Sequence, residues 1–491
     1  MKEQKEDYNH ILKYTSLFGG IQGLVIVISL IRNKAMALLL GVSGVGFNAL
    51  LLSMQNFAAQ CTNLGLSFGA VPRLSELYEH DDLAGRDYFI QVIRLWSIIA
   101  AVLGLLFCIV VSPLVNNLSF NWGNHTLHYA MLGISVAFSA LAGGEFAILK
   151  ATRRLGPLAR VQIYTAVVAV VCTIPLYYYL RHTGVVPAIV LTAMINMLFV
   201  MSYSYRHYPF RLRFERQMFI DGAGMIRLGM AFVLASAVGS GSEMLIRSFL
   251  NVEGSMDDVG LYNAAYMITI TYAGLVFTAM ETDFFPRLSA VSKDVEASNN
   301  TVNRQMEVSL LMLSPMLVAL LMFLPLLIPA LFSKEFLPVI GMAQVAVLAM
   351  YFKVLTLPVA YITLARGYSL TFLFLESAYF VVLVTAIAIG FTYWGIYGTG
   401  VAIVFAHVFD YLMINSYAYW KYDYRSTWAI VRYASVQLTI GFLAFVASLM
   451  LVGWVYWTAE AALAIVSTAY SVNILRQKTH LWESLKQKIR I

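Results

Sequence analysis

The sequence is short of charge. Only 12% of its 491 residues are Asp, Glu, Lys or Arg, against 60% hydrophobic residues, whereas soluble domains carry roughly 25% charged residues. With a mean hydropathy of +0.74, this shortage excludes an ordinary soluble protein and indicates a chain that crosses a membrane many times. The apolar runs at 98–111 and 310–331 are continuous, unlike the alternating strands of a membrane barrel, so we expect transmembrane helices.

Cysteine and catalytic motifs are also scarce. Cys61, Cys108 and Cys172 are scattered through apolar runs, so they predict neither a disulfide framework nor a metal site. The sequence contains no phosphate-binding loop, metalloprotease helix or serine elbow. Its basic residues are spread over many short loops rather than gathered into a nucleic-acid-binding patch. We therefore expect no enzyme, no cofactor, no metal and no nucleic-acid partner.

What the chain does contain is an internal repeat. Val45–Gly46 returns as Val259–Gly260, and the tetrapeptide Pro-Arg-Leu-Ser that ends at Ser75 returns ending at Ser289. The tripeptide Ala-Ile-Val at 188–190 returns at 402–404. One offset of 214 residues fits all of these matches, so the chain is a duplicated unit.

The apolar runs predict an all-α polytopic membrane protein with about fourteen transmembrane helices. We expect two pseudo-symmetric six-helix bundles, at 1–210 and 211–425, then two extra transmembrane helices at 426–476 and a basic amphipathic cytoplasmic tail at 477–491. Because six spans is an even number, both bundles enter the membrane in the same direction and a pseudo-two-fold axis along the membrane normal relates them. Such a pair encloses a cavity and works by alternating access, which predicts a transporter.

The distribution of Lys and Arg predicts the orientation. If the N-terminus is inside, most of the 33 basic residues fall in cytoplasmic segments and very few in outer loops. We therefore expect both termini to be cytoplasmic.

Positive charges occur inside the predicted spans. Arg32 and Lys34 lie in the first span, Arg247 in the seventh, one residue from the repeat position of Arg32, and Lys353 in the tenth. Each costs roughly 2.5–3.5 kcal/mol inside a membrane. We expect these cations to surround a central cavity and bind an anionic substrate, since guanidinium groups pair with phosphate in a bidentate way. The alternative is that they snorkel or pair locally, as Arg247 would with Glu243 one turn away.

Acidic residues form a second group of candidates. Glu281 and Asp283 lie near the cytoplasmic end of the eighth span, and Asp410 lies in the twelfth. With Glu243, they are candidates to bind a coupling ion. They are also candidates for an inner gate with Arg73 or Arg287. The alternative is ion pairing that fixes helix register.

The second span is unusually polar for a helix that faces lipid. We expect Asn48, Gln55 and Asn56 to face water or the sugar part of a substrate, although such residues also hold helices together. Glu145 and Glu376 lie close to the predicted inner interface, where we expect solvent to surround them.

These features resemble one family. Arg32 followed by Leu40–Gly41 and Gly46, the segment Val259–Ala265, and the two Pro-Arg-Leu-Ser endings are similar to the bacterial polysaccharide exporters. The similarity is to the O-antigen flippases of the multidrug/oligosaccharidyl-lipid/polysaccharide exporter superfamily, and it extends over about residues 10–475. It implies a flippase of the bacterial inner membrane that moves an undecaprenyl-pyrophosphate-linked oligosaccharide, such as an O-antigen or capsule repeat unit, from the inner to the outer leaflet.

The resemblance also implies site residues and partners. Members of the family keep cations in a central cavity, and Arg32 and Arg247 occupy matching places. The chain departs from the family at Glu243, where members commonly have an Asp. The implied partners are the lipid-linked oligosaccharide, membrane lipids, a coupling proton or sodium ion, and the polysaccharide polymerase machinery.

Three other classes of protein fit the sequence less well. A cation-coupled multidrug antiporter of the same fold would need an acidic cavity, whereas the charges inside the spans are mainly basic. A membrane polymerase or ligase would carry a large outer loop, and the longest predicted one is 113–126. A major-facilitator transporter would have a Gly- and Arg-rich loop after its second span, which 72–87 does not provide.

Overall fold

The computed structural model describes residues 2–211 and 215–478. Side chains are described from Gly23 onward, with gaps at 67, 155, 228, 231–232, 272–273, 275–276 and 278–283. Within these residues the chain consists of helices joined by short turns and has no strand, which confirms the predicted all-α class. The tail predicted at 477–491 lies, beyond Lys478, outside the described residues.

The first half of the chain folds into six helices. They are α1 (Lys2–Thr62), α2 (Leu66–Glu79), α3 (Leu83–Ser119), α4 (Thr126–Ala151), α5 (Leu155–Leu180) and α6 (Val185–His207), with a short 3-10 turn (Arg181–Gly184) before the last. α1 is interrupted at Gly41, whose φ of 70° is readily adopted by glycine. Leu64 and Gly65 have positive φ between α1 and α2, and the Asn63 side chain accepts a hydrogen bond from the Gly65 amide at 2.8 Å.

The second half folds into eight helices. They are α7 (Arg216–Glu253), α8 (Met256–Tyr266), α9 (Tyr272–Val291), α10 (Val295–Leu331), α11 (Ile340–Ala365), α12 (Ser369–Tyr422), α13 (Trp428–Met450) and α14 (Gly453–Lys478). A π-helical turn (Met267–Thr271) joins α8 to α9, and a 3-10 turn (Lys334–Val339) precedes α11.

α12 and α1 each double back on themselves. Gly395 interrupts α12 with a φ of 56°. A Cβ placed on Gly390 would lie 2.5 Å from the carbonyl oxygen of Gly398, although eight residues of continuous helix would separate them by about 12 Å. In α1, a Cβ placed on Gly44 would lie 2.2 Å from the Cβ of Leu40, so the chain also reverses there.

This geometry confirms the predicted number of spans. Across the described residues α1 and α12 contribute two segments each, α2 continues the second arm of α1, and α8 and α9 form one segment. With the remaining helices, about fourteen segments cross the membrane. Nine helical stretches of this part of the chain are long and apolar enough to cross a bilayer, and three of these contain two arms.

Positive φ angles recur in the backbone at the same offset of 214 residues. Arg153 and Arg181, which follow α4 and α5, have φ values of 54° and 53°. The residues 214 positions later, Gly367 and Gly395, have φ values of 82° and 56°. Because left-handed φ is uncommon outside glycine, its recurrence indicates that the two halves turn in the same way. The boundaries at 210, 425 and 476 stay a prediction.

The chain divides into two compact units. The first comprises Met1–Gly260 and Leu331–Ser333, and the second comprises Leu261–Ala330 and Lys334–Ile491. α7, the first span of the second repeat, therefore belongs to the first unit, where it packs against α1, α2 and α3. A Cβ on its Gly229 would lie 2.6 Å from the Gly65 carbonyl oxygen, so glycine allows this close backbone contact.

Candidate functional site

The first unit contains a cavity of about 340 Å³ that is lined by both polar and apolar side chains. The first arm of α1, together with α5 and α6, forms most of its walls, and its volume lies in the range of about 300–1,000 Å³ usual for small-molecule sites. Its polar lining consists of Ser29, Arg32, Gln162, Thr165, Thr192 and Asn196.

Arg32 supplies the positive charge of this cavity. Its side chain is half-buried, and it interacts electrostatically with Tyr177 on α5. No acidic side chain is among the described residues that line the cavity. A guanidinium inside a membrane protein is costly, so an anion bound beside Arg32 would lower the free energy of the site.

The hydroxyl groups of the cavity add hydrogen-bonding capacity. Ser29 and Thr192 donate to carbonyl oxygens of their own helices, at 2.9 Å to Val25 and 2.7 Å to Ala188, which leaves their oxygens as acceptors. The Thr165 hydroxyl is about nine-tenths buried and has no hydrogen-bond partner among the described residues. A cation beside hydroxyl and amide groups suits a phosphate linked to a sugar.

Arg247 forms an ion pair within its own helix. Its guanidinium is buried, with Nη1 3.1 Å from Glu243 Oε2 and 3.1 Å from the Glu243 carbonyl oxygen. Arg247 is not among the residues that line the Arg32 cavity. The geometry is the local pairing that the i, i+4 spacing allows. The roles of Arg247 in substrate binding and of Glu243 in ion coupling stay predictions.

The other predicted substrate contacts lie along α1. Lys34 is half-buried, Asn48 is buried, Gln55 is half-buried and Asn56 is exposed. None of these four lines the Arg32 cavity as described. Their predicted contacts with a substrate stay predictions.

A second charged group lies in the second unit. Lys353 on α11 lies 5.8 Å from the ring centroid of Phe277 and interacts electrostatically with Glu376 and Asp410 on α12. Glu376 is half-buried, so the expectation that solvent surrounds it is only partly met. The predicted substrate role of Lys353 and coupling role of Asp410 stay predictions.

His407 lies next to this group. Its Nδ1 lies 2.9 Å from the Ile403 carbonyl oxygen, which can only accept, so Nδ1 donates. In the neutral ring Nε2 is then the acceptor, and the Tyr379 hydroxyl donates to it at 3.5 Å.

The predicted inner gate is only partly described. Arg73 is exposed and pairs with Glu76 one turn away, at 2.8 Å, and Arg287 is exposed and donates to Gln305 at 3.4 Å. The side chains of Glu281 and Asp283 lie outside the described residues. The gate therefore stays a prediction.

Sequence reasoning missed a buried ion pair. Glu145 is 2% exposed and Arg94 is 3% exposed, with Nε 2.7 Å from Oε1 and Nη2 3.2 Å from Oε2. The expectation that solvent surrounds Glu145 was therefore wrong, because α3 and α6 enclose it. One signal in the sequence could have predicted this pair: Arg94 lies in the neighbouring span at a depth similar to that of Glu145, and the two charges are opposite.

Comparison with solved structures shows which known proteins share this fold. The chain is similar to a lipid II flippase MurJ in an inward closed conformation, with a TM-score of 0.73 and 14% identity over 94% of this chain and 99% of that one. It is also similar to an inward-facing multidrug resistance MATE family transporter of the MOP superfamily, with a TM-score of 0.65 and 13% identity over 83% and 98%. A third similar structure is a MOP superfamily transporter from Pyrococcus furiosus Vc1, described by the reverse polarity of its binding pocket. Its TM-score is 0.58 and its identity 13%, over 89% of this chain and 97% of that one. The fold is thus that of the MOP-superfamily transporters.

The sequence also matches the model of one protein family. The model described as polysaccharide biosynthesis protein matches residues 35–341, which is more than half of the chain. The chain therefore belongs to this family of polysaccharide biosynthesis proteins, and its fold is that of flippases and transporters. The predicted resemblance to polysaccharide flippases is confirmed. No curated protein sequence matches the chain.

Proposed function

We propose that the protein moves a polyprenyl-pyrophosphate-linked oligosaccharide, such as an O-antigen or capsule repeat unit, across the bacterial inner membrane by alternating access. The observation that carries this proposal is the cavity of about 340 Å³ in which Arg32 lies among hydroxyl and amide groups without an acidic residue. The family description and the lipid II flippase among similar structures agree with a lipid-linked sugar as cargo.

Arg32 binds the pyrophosphate in this proposal. Its guanidinium presents two parallel N–H groups to one phosphate and thereby orients the head group. The unpartnered Thr165 hydroxyl donates to a phosphate or sugar oxygen, whereas Thr192, whose hydrogen is already donated to Ala188, accepts from a sugar hydroxyl. The polyprenyl chain stays in the bilayer, because moving it into a polar cavity would lose its apolar burial.

The second candidate is a cation-coupled multidrug antiporter. It is favoured by the pair of acids Glu376 and Asp410 in the second unit, and by the MATE fold. An organic cation would, however, be repelled by Arg32 in the first-unit cavity. The two candidates therefore differ in which substitution abolishes transport.

Arg32→Gln is expected to reduce flipping of a fluorescent short-chain polyprenyl diphosphate N-acetylhexosamine about ten- to a hundredfold in proteoliposomes. The reason is that a hydrogen bond to a charged group contributes about 1.5–3 kcal/mol. Arg32→Glu is expected to abolish flipping, and Arg32→Lys is expected to restore part of it, since the charge returns without the bidentate geometry.

Arg160→Gln provides the matched control, because Arg160 is an exposed arginine on α5 of the same unit. It should flip the probe at the wild-type rate. Full activity in Arg32→Glu, or export of drug cations that depends on Asp410 and not on Arg32, would replace the glycolipid proposal with the antiporter.

A further inference from the structure

The two helices outside the repeat, α13 and α14, are joined by buried polar groups. Gln437 of α13 is fully buried, donates to the Ser471 hydroxyl at 2.8 Å and accepts a hydrogen bond from Ser467 at 2.7 Å. Such a fully paired contact holds two helices in one register. α14 is therefore an integral part of the second unit.

Glu460 of α14 is an exception to this pairing. Its side chain has no exposed surface, and neither carboxyl oxygen has a hydrogen-bond partner among the described residues. Glu460 lies seven residues after the start of α14 at Gly453, about 10 Å along the helix. By contrast, the membrane acids Glu145 and Glu243 have arginine partners.

An ionised carboxyl group at this position would be strongly destabilising. An unpaired charge inside a protein costs far more than the loss of one hydrogen bond, and a buried acid without a cation therefore takes up a proton instead. The carboxyl group of Glu460 is thus neutral in this conformation, and it can release its proton only when the packing around it opens.

The neighbouring Tyr456 connects this site to α10. Its hydroxyl lies 3.2 Å from the Leu321 carbonyl oxygen and 2.8 Å from that of Met322. Pro325 lies in α10 four residues after Leu321 and has no N–H, so the Leu321 carbonyl lacks its helical donor. The single Tyr456 hydrogen is shared between these two carbonyls, with the shorter distance to Met322, and it stabilises α10 beside its proline.

We propose that Glu460 is a proton-binding site that couples transport to proton movement, and that Tyr456 transmits its charge state to the Pro325 region of α10. The coupling rests on the proposed transport function, whereas the protonation of Glu460 does not.

When the site opens to water, the Glu460 carboxyl group releases one proton and becomes a carboxylate. The Tyr456 hydroxyl turns from the α10 carbonyls to donate to that carboxylate, since a hydrogen bond to a charged acceptor is the stronger one. The Leu321 carbonyl then loses its donor, so α10 is free to bend at Pro325. Uptake of a proton reverses these changes.

Few other titratable or charged groups of the described residues interact with Glu460. Tyr456 is the titratable side chain that interacts electrostatically with Glu460 in the described part of the chain. The contacts described between Tyr456 and α10 are made to main-chain carbonyl oxygens, which carry no net charge. A change in the charge of Glu460 is therefore not masked by a neighbouring ion.

Infrared spectroscopy of the purified protein tests the protonation. At neutral pH, the difference spectrum between the wild type and Glu460→Gln should show the C=O stretch of one protonated carboxyl group. Glu253→Gln, at an exposed acid of α7, should show only the loss of a carboxylate band. A carboxylate band in the Glu460 difference spectrum would overturn the proposal, whatever the substrate.

Transport in proteoliposomes tests the coupling. With the fluorescent polyprenyl diphosphate as probe, an imposed pH gradient should accelerate wild-type flipping at least severalfold. Glu460→Gln should flip at a rate that does not depend on the gradient, and Tyr456→Phe should lose most of the acceleration. If Glu460→Gln keeps the acceleration and Asp410→Asn loses it, or if the active wild type ignores the gradient, Glu460 is not the coupling site. Failure of the wild type to flip the probe under any gradient would instead count against the proposed function.

Discussion

Replacing either Arg94 or Glu145 with alanine is expected to destabilise the protein by about 3–5 kcal/mol, because each change leaves the other charge buried and unpaired. The Arg94 guanidinium is in ion-pair contact with both carboxyl oxygens of Glu145. It also donates to the carbonyl oxygens of Tyr208 at 2.8 Å and Pro209 at 3.0 Å. The pair thus ties α3 and α4 to the segment that follows α6.

Two further variants separate the charge from the packing. Arg94→Lys should recover only part of the stability, since an ammonium cannot reproduce the fork of donors. Arg94→Met combined with Glu145→Leu should be much less destabilising than either alanine variant, because no charge is left unpaired.

The measurement is thermal unfolding of the purified protein in detergent, with the fraction that elutes as a monodisperse species as a second readout. Arg73→Ala is the control, because its pair with Glu76 is exposed and such pairs contribute about 0–1 kcal/mol. If Arg94→Ala lowers the unfolding temperature no more than Arg73→Ala does, the buried pair contributes no more stability than the exposed pair, and the prediction is wrong.

Gly46→Ala and Gly260→Ala are expected to prevent a close helix contact in the first unit. A Cβ on Gly46 of α1 would lie 2.1 Å from the Met256 carbonyl oxygen, and one on Gly260 of α8 would lie 2.2 Å from the Val42 carbonyl oxygen. The clashing atoms belong to the backbone, so they cannot turn away as a side chain would. The two glycines lie 214 residues apart, at matching positions of the predicted repeat. Because neither has a side chain, α1 and α8 can pack closely against each other at this point.

The contact lies near the Gly41 turn, which the predicted orientation places on the outer side. Because overpacking costs about 1–3 kcal/mol, either alanine should shift the population toward a state open on that side by about five- to a hundredfold. Transport should slow in parallel, since alternating access requires both states.

Labelling of Ser248→Cys by a membrane-impermeant maleimide measures this shift. Ser248 is buried, with its hydroxyl 2.7 Å from that of Ser119, so labelling should be slow in the parent and faster when Gly46→Ala is added. Gly224→Ala is the matched control, because a Cβ there would meet no atom within 4 Å. Equal labelling in all three backgrounds would show that the glycine contact does not control access.

Much of the fold was predictable because the bilayer constrains the sequence locally. Every crossing helix needs an apolar run of about twenty residues, so the count of spans followed from hydropathy. The repeat was visible in matched motifs such as Val45–Gly46. These signals are all read from neighbouring residues or from a fixed offset.

The candidate site was less predictable, because its members come from helices far apart in sequence. Arg32 was singled out by its charge, but the residues beside it, Gln162, Thr165 and Asn196, carry no signal of their own. Arg247 was predicted to bind substrate, with a local pair to Glu243 as the alternative; the structure shows that pair, and the substrate role stays a prediction. The depth of a charge follows from the sequence, whereas its neighbours depend on how the helices are turned.

The sequence by itself determined the membrane class and the number of spans, which follow from composition and hydropathy, and the family resemblance, which follows from short motifs; the duplication stays a prediction. Tertiary packing alone decided which charges are paired, which side chains share a cavity, and that Glu460 is enclosed with no partner among the described residues. The physical reason is that the cost of a charge in a membrane is set by the groups around it. A one-dimensional pattern specifies only how deep that charge lies.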